Sequence, residues 1–453
     1  MQPYIEEVKK IGLGVFIAIV IFGLSMIVFN TTQSSLLAVI AFLVVLWTNE
    51  ALPLAIVSLM PIVIFPALGI ISTKATTINY AHPIIFLFLG GFLLAIAVEK
   101  SKLHTFIADK MLSFFPNTPR GIIFSLVITS GLLSSILSNT TTTLLLISIA
   151  LFITQDAKLK MRFALAIAYG ASVGGIITPI GTPPNLILLG VMSDKGMSSI
   201  AFFEWIYMVL PLAMVMFVIV SYILGLGLDK TPIERKIKKE ELNTEQKKVL
   251  YVLGGLITLL LVNAPIRPYW DGLGLSEAGI LLGVGMLFFM PFFNILDWEK
   301  DKDNIPFKIM FLFGAGFSIA KAFSSTGLAD EVASYLINMT DLTPILLLLA
   351  VASLITFTTE ITSNTALISI MLPVIYSVSE QTGINTTLFM MVATVCASYA
   401  FMLPIATPPN AIAMSSGVVD VKSMIRYGVI FNLIGIFLIV TIAEFFWKYQ
   451  FDF

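Results

Sequence analysis

Apolar residues recur in this chain as runs of helical length rather than as short alternating segments. Runs that read as membrane spans cover 11–29, 34–48, 51–70, 84–100, 162–192, 205–228, 249–264, 276–293, 307–323, 386–416 and 425–447. About 20 apolar residues carry a helix across the ~30 Å hydrocarbon core of a bilayer. Two further stretches, 121–155 and 343–379, are too long for one crossing and too short for two. Each divides into arms of about 16 residues, which at a rise of ~1.5 Å per residue cover only part of the core. They are expected to be re-entrant helical hairpins. The pattern predicts an all-α polytopic membrane protein, with about 11 transmembrane helices plus the two hairpins. A β-barrel would alternate instead.

Composition agrees. Of 453 residues, 58% are hydrophobic and 12% charged, against about 25% charged in soluble domains. A net charge of -1 gives no reason to expect a nucleic-acid partner. The single cysteine, Cys396, excludes an internal disulfide framework. Two histidines, His82 and His104, leave little room for a zinc or haem centre and are expected at membrane interfaces. The first run follows Lys9 and Lys10, and no small-residue cleavage site follows it. It is expected to be the first membrane helix rather than a removed signal, with no soluble domain appended.

The chain repeats itself at a fixed offset. Phe86-Leu87-Phe88 with Gly91-Phe92 recurs 225 residues later as Phe311-Leu312-Phe313 with Gly316-Phe317. Ser138-Asn139-Thr140 recurs at the same interval as Ser363-Asn364-Thr365. Pro179-Ile180 and Thr182-Pro183-Pro184-Asn185 recur as Pro404-Ile405 and Thr407-Pro408-Pro409-Asn410. The expected organisation is an N-terminal membrane helix at 1–34, a first repeat at 35–228, a charged linker at 229–248 and a second repeat at 249–453.

Lysine and arginine concentrate in loops on the cytoplasmic side. Lys100, Lys102, Lys110, Arg120, Lys158, Lys160 and Arg162 flank the first Ser-Asn-Thr, whereas none lies between Lys321 and Lys422 around the second. Hairpin 121–155 is therefore expected to enter from the cytoplasm and hairpin 343–379 from outside, making the repeats inverted. The N-terminus and linker fall in the cytoplasm of a cell inner (plasma) membrane, and the C-terminus outside.

Ser, Asn and Thr are preferred helix N-caps. Half-helices starting at Ser138-Asn139-Thr140 and Ser363-Asn364-Thr365 would aim free N–H groups and positive dipole ends into the protein. Two such ends brought together suit a molecule with two anionic ends. Capping without a ligand is the plainer reading of one copy; the duplicate favours a site. Proline breaks a helix, and the two Thr-Pro-Pro-Asn segments would free backbone carbonyls around a cavity. A plain kink is the alternative there. Gly181 and Ala406 precede the breaks and allow close backbone approach. Ser134 and Thr359 lie four residues before each Ser-Asn-Thr, read as one helical turn below the tip. Hydroxyl, tip Ser and Asn oxygens and a freed carbonyl would form a hard-oxygen cage for sodium; back-bonding of the hydroxyls within their own helix is the alternative.

Glu50, Glu99 and Glu360 are expected in structural pairs or at interfaces rather than in a proton relay, with Glu360 closest to a tip. Lys321 has no acidic partner within sequence reach and is expected to snorkel. No His-Glu-x-x-His, Walker loop or Gly-x-Ser-x-Gly occurs, so an intramembrane enzyme or an ATP-driven pump lacks its residues. The four repeated motif segments hold no ionisable relay of the kind a cation/proton antiporter needs.

Paired Ser-Asn-Thr tips and paired Thr-Pro-Pro-Asn breaks, one of each per half, resemble the divalent anion–sodium symporter family over nearly the whole chain. The resemblance implies a homodimer with a scaffold part and a transport part that moves like an elevator. It implies one sodium site at Ser134, Ser138, Asn139 and Gly181, and another at Thr359, Ser363, Asn364 and Ala406. Substrate carboxylates would meet Asn139, Thr140, Asn364 and Thr365, with Thr182, Thr407 and Pro408 lining the same cavity. The implied activity is sodium-coupled uptake of C4-dicarboxylates (succinate, fumarate or malate), without any cofactor beyond the coupling ions. Exchange without sodium, and carriage of sulfate or a tricarboxylate, are the alternatives on the same architecture.

Overall fold

The computed structural model describes residues 2–49, 51–228, 232–233, 241–264, 270–338 and 343–451, and they fold into helices joined by short turns. Glu50 and the linker residues 229–231 and 234–240 lie outside the described residues. Among those described, six helical segments are long and apolar enough to cross a membrane: Glu6–Ser25, Thr31–Asn49, Thr73–Lys100, Phe202–Gly225, Phe307–Thr326 and Val421–Gln450. Other apolar runs form shorter helices because proline or a tip divides them. Run 162–192 becomes Ala157–Gly175 and Pro183–Asp194, and run 386–416 becomes Thr386–Ala397 and Pro408–Ser415.

Stretch 121–155 forms two arms, Pro119–Ser134 and Asn139–Ile153, and stretch 343–379 forms Pro344–Thr358 and Asn364–Thr382. Both outer arms start with proline at the first turn, where a missing N–H costs nothing. Helix starts recur at the sequence offset: Leu103 with Leu328, Pro119 with Pro344, Asn139 with Asn364, and Pro183 with Pro408.

The two helices that precede the breaks form the centre. Every residue from Arg162 to Gly175 and from Leu388 to Ala397 is buried. Lipid supplies no hydrophobic drive between helices, so close packing of small residues carries more of the association. Gly170 and Gly174, four apart on one face, lie against Val127 and Gly131 of the first outer arm; a Cβ on Gly174 would stand 2.1 Å from the Gly131 carbonyl oxygen.

The helices after the breaks cross over. Pro183–Asp194 packs on Asn364–Thr382 and Thr386–Ala397 of the C-terminal half. Pro408–Ser415 packs on Asn139–Ile153 and Ala157–Gly175 of the N-terminal half. The two halves are therefore interlocked around both tips and both breaks.

Candidate functional site

Each tip begins a helix. Ser138 is an N-cap whose hydroxyl accepts from the Thr141 N–H at 3.1 Å and donates to Thr141 Oγ1 at 2.9 Å. Ser363 is the N-cap of the second inner arm, but its side chain makes no cap bond. Ser138, Asn139, Thr140, Ser363 and Asn364 are half-buried, and Thr365 is buried. Short polar side chains thus meet the open N–H groups of two half-helices inside an apolar protein. Such a terminus attracts anions.

Ser134 Oγ donates to Asn139 Oδ1 at 2.5 Å, and Thr359 Oγ1 donates to Asn364 Oδ1 at 2.6 Å. The four-residue spacing had suggested one turn of a single helix. Instead the outer arm ends at Ser134, or at Thr358 with Thr359 as its cap, and the hydroxyl reaches the tip amide across the turn. Both hydroxyls are fully buried. Thr359 Oγ1 also lies 2.9 Å from the Ala397 carbonyl, the last residue before the second break.

The breaks come up against these pairs. A Cβ on Gly175 would stand 2.6 Å from Asn139 Oδ1, and one on Gly181 2.4 Å from the Gly175 oxygen. Tip and half-helix end are therefore in close contact in the first half, and Gly181 packs on that same half-helix end. Thr182 and Thr407 are extended N-caps of the helices after the breaks, both buried. Ala406 is buried and Pro408 exposed.

Two residues of the Thr-Pro-Pro-Asn motifs do work that was not assigned to them from sequence. Asn185 Nδ2 donates to the carbonyls of Gly175 at 3.4 Å and Thr178 at 2.9 Å. Asn410 Nδ2 donates to those of Ala400 and Leu403, both at 3.0 Å. All three positions of this bridge repeat at the same offset. Each amide ties the helix after the break to carbonyls of the segment before it, Gly175 being the last residue of its half-helix and Thr178, Ala400 and Leu403 lying beyond the helix ends. The repeat was the signal that could have found them.

Other candidates settle differently. Glu99 and Lys321 are exposed. His82 and His104, expected at interfaces, are buried. His82 Nδ1 caps Pro83–Lys100 by accepting from the Ile84 N–H, and its Nε2 faces Asp194 at 3.4 Å. His104 Nδ1 lies 3.2 Å from the Val98 carbonyl.

Comparisons with known proteins point the same way as the motifs. A family model described as citrate transporter matches residues 42–384. The sodium-dependent dicarboxylate transporter SdcS of Staphylococcus saprophyticus is 30% identical over 482 residues, covering 97% of this chain and 93% of that protein. Its Staphylococcus aureus namesake is 31% identical over 443 residues, covering 90% and 84%. Among solved structures, the YdaH transporter of Alcanivorax borkumensis superposes with a TM-score of 0.62 at 13% identity, over 83% of this chain and 88% of that one. MtrF of Neisseria gonorrhoeae gives 0.57 at 13% identity, over 82% of each chain. The last two show likeness of fold.

Proposed function

Since this chain belongs to the citrate transporter family, and is an integral membrane transport protein rather than an enzyme, we propose that it carries small dicarboxylates into the cell together with sodium. The observation that carries this reading is the hydroxyl–amide pair present once in each half with the end of the pre-break helix against it: Gly175 beside Asn139 in the first, and the Ala397 carbonyl 2.9 Å from Thr359 Oγ1 in the second. The names of the two staphylococcal relatives support the choice of ion and substrate class.

In this proposal Ser134, Ser138, Asn139 and the Gly181 carbonyl hold one sodium ion, and Thr359, Ser363, Asn364 and the Ala406 carbonyl hold another. A cation between the two oxygens of each hydroxyl–amide pair turns the hydroxyl proton outward. Substrate carboxylates take the open N–H groups and side chains at Asn139, Thr140, Asn364 and Thr365, with Thr182, Thr407 and Pro408 around them. Hydrogen bonds to a charged group contribute roughly 1.5–3 kcal/mol each. A few per carboxylate offset much of its dehydration without a lysine or arginine.

Coupling follows from electrostatics. A dianion moving into a negative cell climbs about 2.3 kcal/mol per charge per 100 mV. More than two sodium ions carried with it reverse that sign. The finer elements of the reading are inverted repeats, a cytoplasmic N-terminus and external C-terminus in the plasma membrane, a homodimer and an elevator-type movement of hairpins and broken helices. In this reading C4-dicarboxylates such as succinate, fumarate and malate offer one carboxylate to each tip; citrate is the second reading, favoured by the family's description.

The test is uptake of labelled succinate into proteoliposomes under an inward sodium gradient, or with potassium in its place. Sodium-driven accumulation, abolished by excess fumarate or malate, supports the proposal. Uptake indifferent to sodium but dependent on internal dicarboxylate makes the protein an exchanger. Competition by citrate or sulfate alone moves the substrate class.

A further inference from the structure

The two halves fasten tip to break by different chemistry. In the first, Thr178 Oγ1 donates to the Ser135 carbonyl at 2.5 Å. The positions 225 residues later are Leu403 and Glu360. There the carboxylate does the fastening. Glu360 Oε2 accepts from the Leu403 N–H at 2.9 Å, and Oε1 accepts from the Met402 N–H at 2.9 Å and from Asn432 Nδ2 at 2.7 Å. Glu360 is 2% exposed, and no cationic side chain among the described residues forms an ion pair with it.

A buried carboxylate is stable when it is hydrogen-bonded and its charge is answered. Three donors answer the first need. No cationic side chain among the described residues answers the second, and the residue next to Glu360 is Thr359, whose hydroxyl forms the second hydroxyl–amide pair. Ser135, its counterpart, carries no charge. The proposed cation sites thus share the hydroxyl–amide pair and differ in the charge beside it.

We propose that Glu360 is a positioning residue for the second cation site, holding the Met402–Leu403 segment against the hairpin turn and making that site the tighter of the two for sodium. The inference rests on the sodium-coupled reading above. It implies an order: sodium occupies the second half first, and the clamp between hairpin and break is complete before the first site fills.

The experiment compares the full-length parent with Glu360→Gln and Thr178→Val. The isosteric amide keeps the volume but removes the charge and one good acceptor. Two quantities are read: the sodium concentration giving half-maximal succinate uptake, and the sodium-induced rise in unfolding temperature of the detergent-solubilised protein without substrate. For Glu360→Gln the half-saturating sodium concentration rises about tenfold or more, a change of about 1.4 kcal/mol. Uptake is recovered by adding sodium, and the thermal shift moves to correspondingly higher sodium. Thr178→Val changes the half-saturating concentration less than Glu360→Gln does. A Glu360→Gln protein with unchanged half-saturation but a lower maximal rate or less folded material makes Glu360 a structural brace and overturns the inference, as does a larger effect in Thr178→Val. A parent protein whose uptake and unfolding temperature both ignore sodium overturns the sodium reading and this inference with it. A parent that responds while Glu360→Gln responds identically overturns the inference alone.

Discussion

Thr359 stands to Asn364 as Ser134 stands to Asn139: a fully buried hydroxyl donates to the amide oxygen that opens the following helix, at 2.6 Å in the second half and 2.5 Å in the first. The side chain differs by one methyl group and the bond does not, so in the proposed cation site the hydroxyl is the group that matters. Thr359→Ser is expected to keep sodium-dependent uptake within about threefold. Thr359→Val removes the oxygen while keeping the shape, and is expected to raise the half-saturating sodium concentration by more than tenfold, a loss of roughly 1.5 kcal/mol or more. Sodium titration of uptake in proteoliposomes reads both. Equal behaviour of the two variants would remove Thr359 from the cation site.

The glycine at the first break is required by space. A Cβ at Gly181 would stand 2.4 Å from the Gly175 carbonyl oxygen, which is backbone and cannot swing aside. Gly181→Ala is expected to cut uptake at limiting sodium at least tenfold by pushing the break away from Asn139. Gly254, where a Cβ meets nothing within 4 Å, supplies the control. Gly254→Ala is expected to be neutral to slightly stabilising, since alanine is favoured over glycine within a helix by about 1 kcal/mol. Full uptake in Gly181→Ala would mean that the first break does not approach the tip during transport.

Asn185 and Asn410 are expected to matter for stability as well as transport. The Thr178 and Leu403 carbonyls also accept from the N–H groups of Gly181 and Ala406, so replacement by alanine takes the donor chiefly from the Gly175 or Ala400 carbonyl, at a cost of about 1–3 kcal/mol per site. Asn185→Asp turns the donor into an acceptor facing acceptors and should be worse than Asn185→Ala. Thermal unfolding of the solubilised variants measures the order. Aspartate as good as asparagine would show that the bridge is not donated by Nδ2.

The proposed inversion predicts opposite accessibility for the starts of the two outer arms. Cys396 is fully buried, so background labelling is low. In intact cells a membrane-impermeant maleimide is expected to label Thr343→Cys, and to reach Thr118→Cys only after the membrane is opened. Labelling of both from outside would make the repeats parallel.

Tips and breaks were legible in the sequence because they are made of residues with strong local preferences. Serine caps, proline terminates, and each pattern occurred twice at one spacing. What could not be read depends on contacts between distant segments. The bond from Thr178 to Ser135 spans 43 residues, and those from Met402 and Leu403 to Glu360 span 42 and 43. Local spacing also misled at Ser134, where four residues that fit a helical turn straddle the end of one helix and the beginning of another. Span lengths read from hydropathy were upper bounds wherever a proline or a tip sat inside the run, as at Thr182-Pro183 and Thr407-Pro408.

The crossing of the two post-break helices bears on how the chain is made. Pro183–Asp194 leaves the ribosome long before Asn364–Thr382 and Thr386–Ala397, the helices it finally rests against. Domains ordinarily fold in turn during synthesis. Here the N-terminal half has to wait in the bilayer, one side of its central helix uncovered until Pro408–Ser415 arrives, and the nascent chain reaches its working shape only when nearly all of it has been translated.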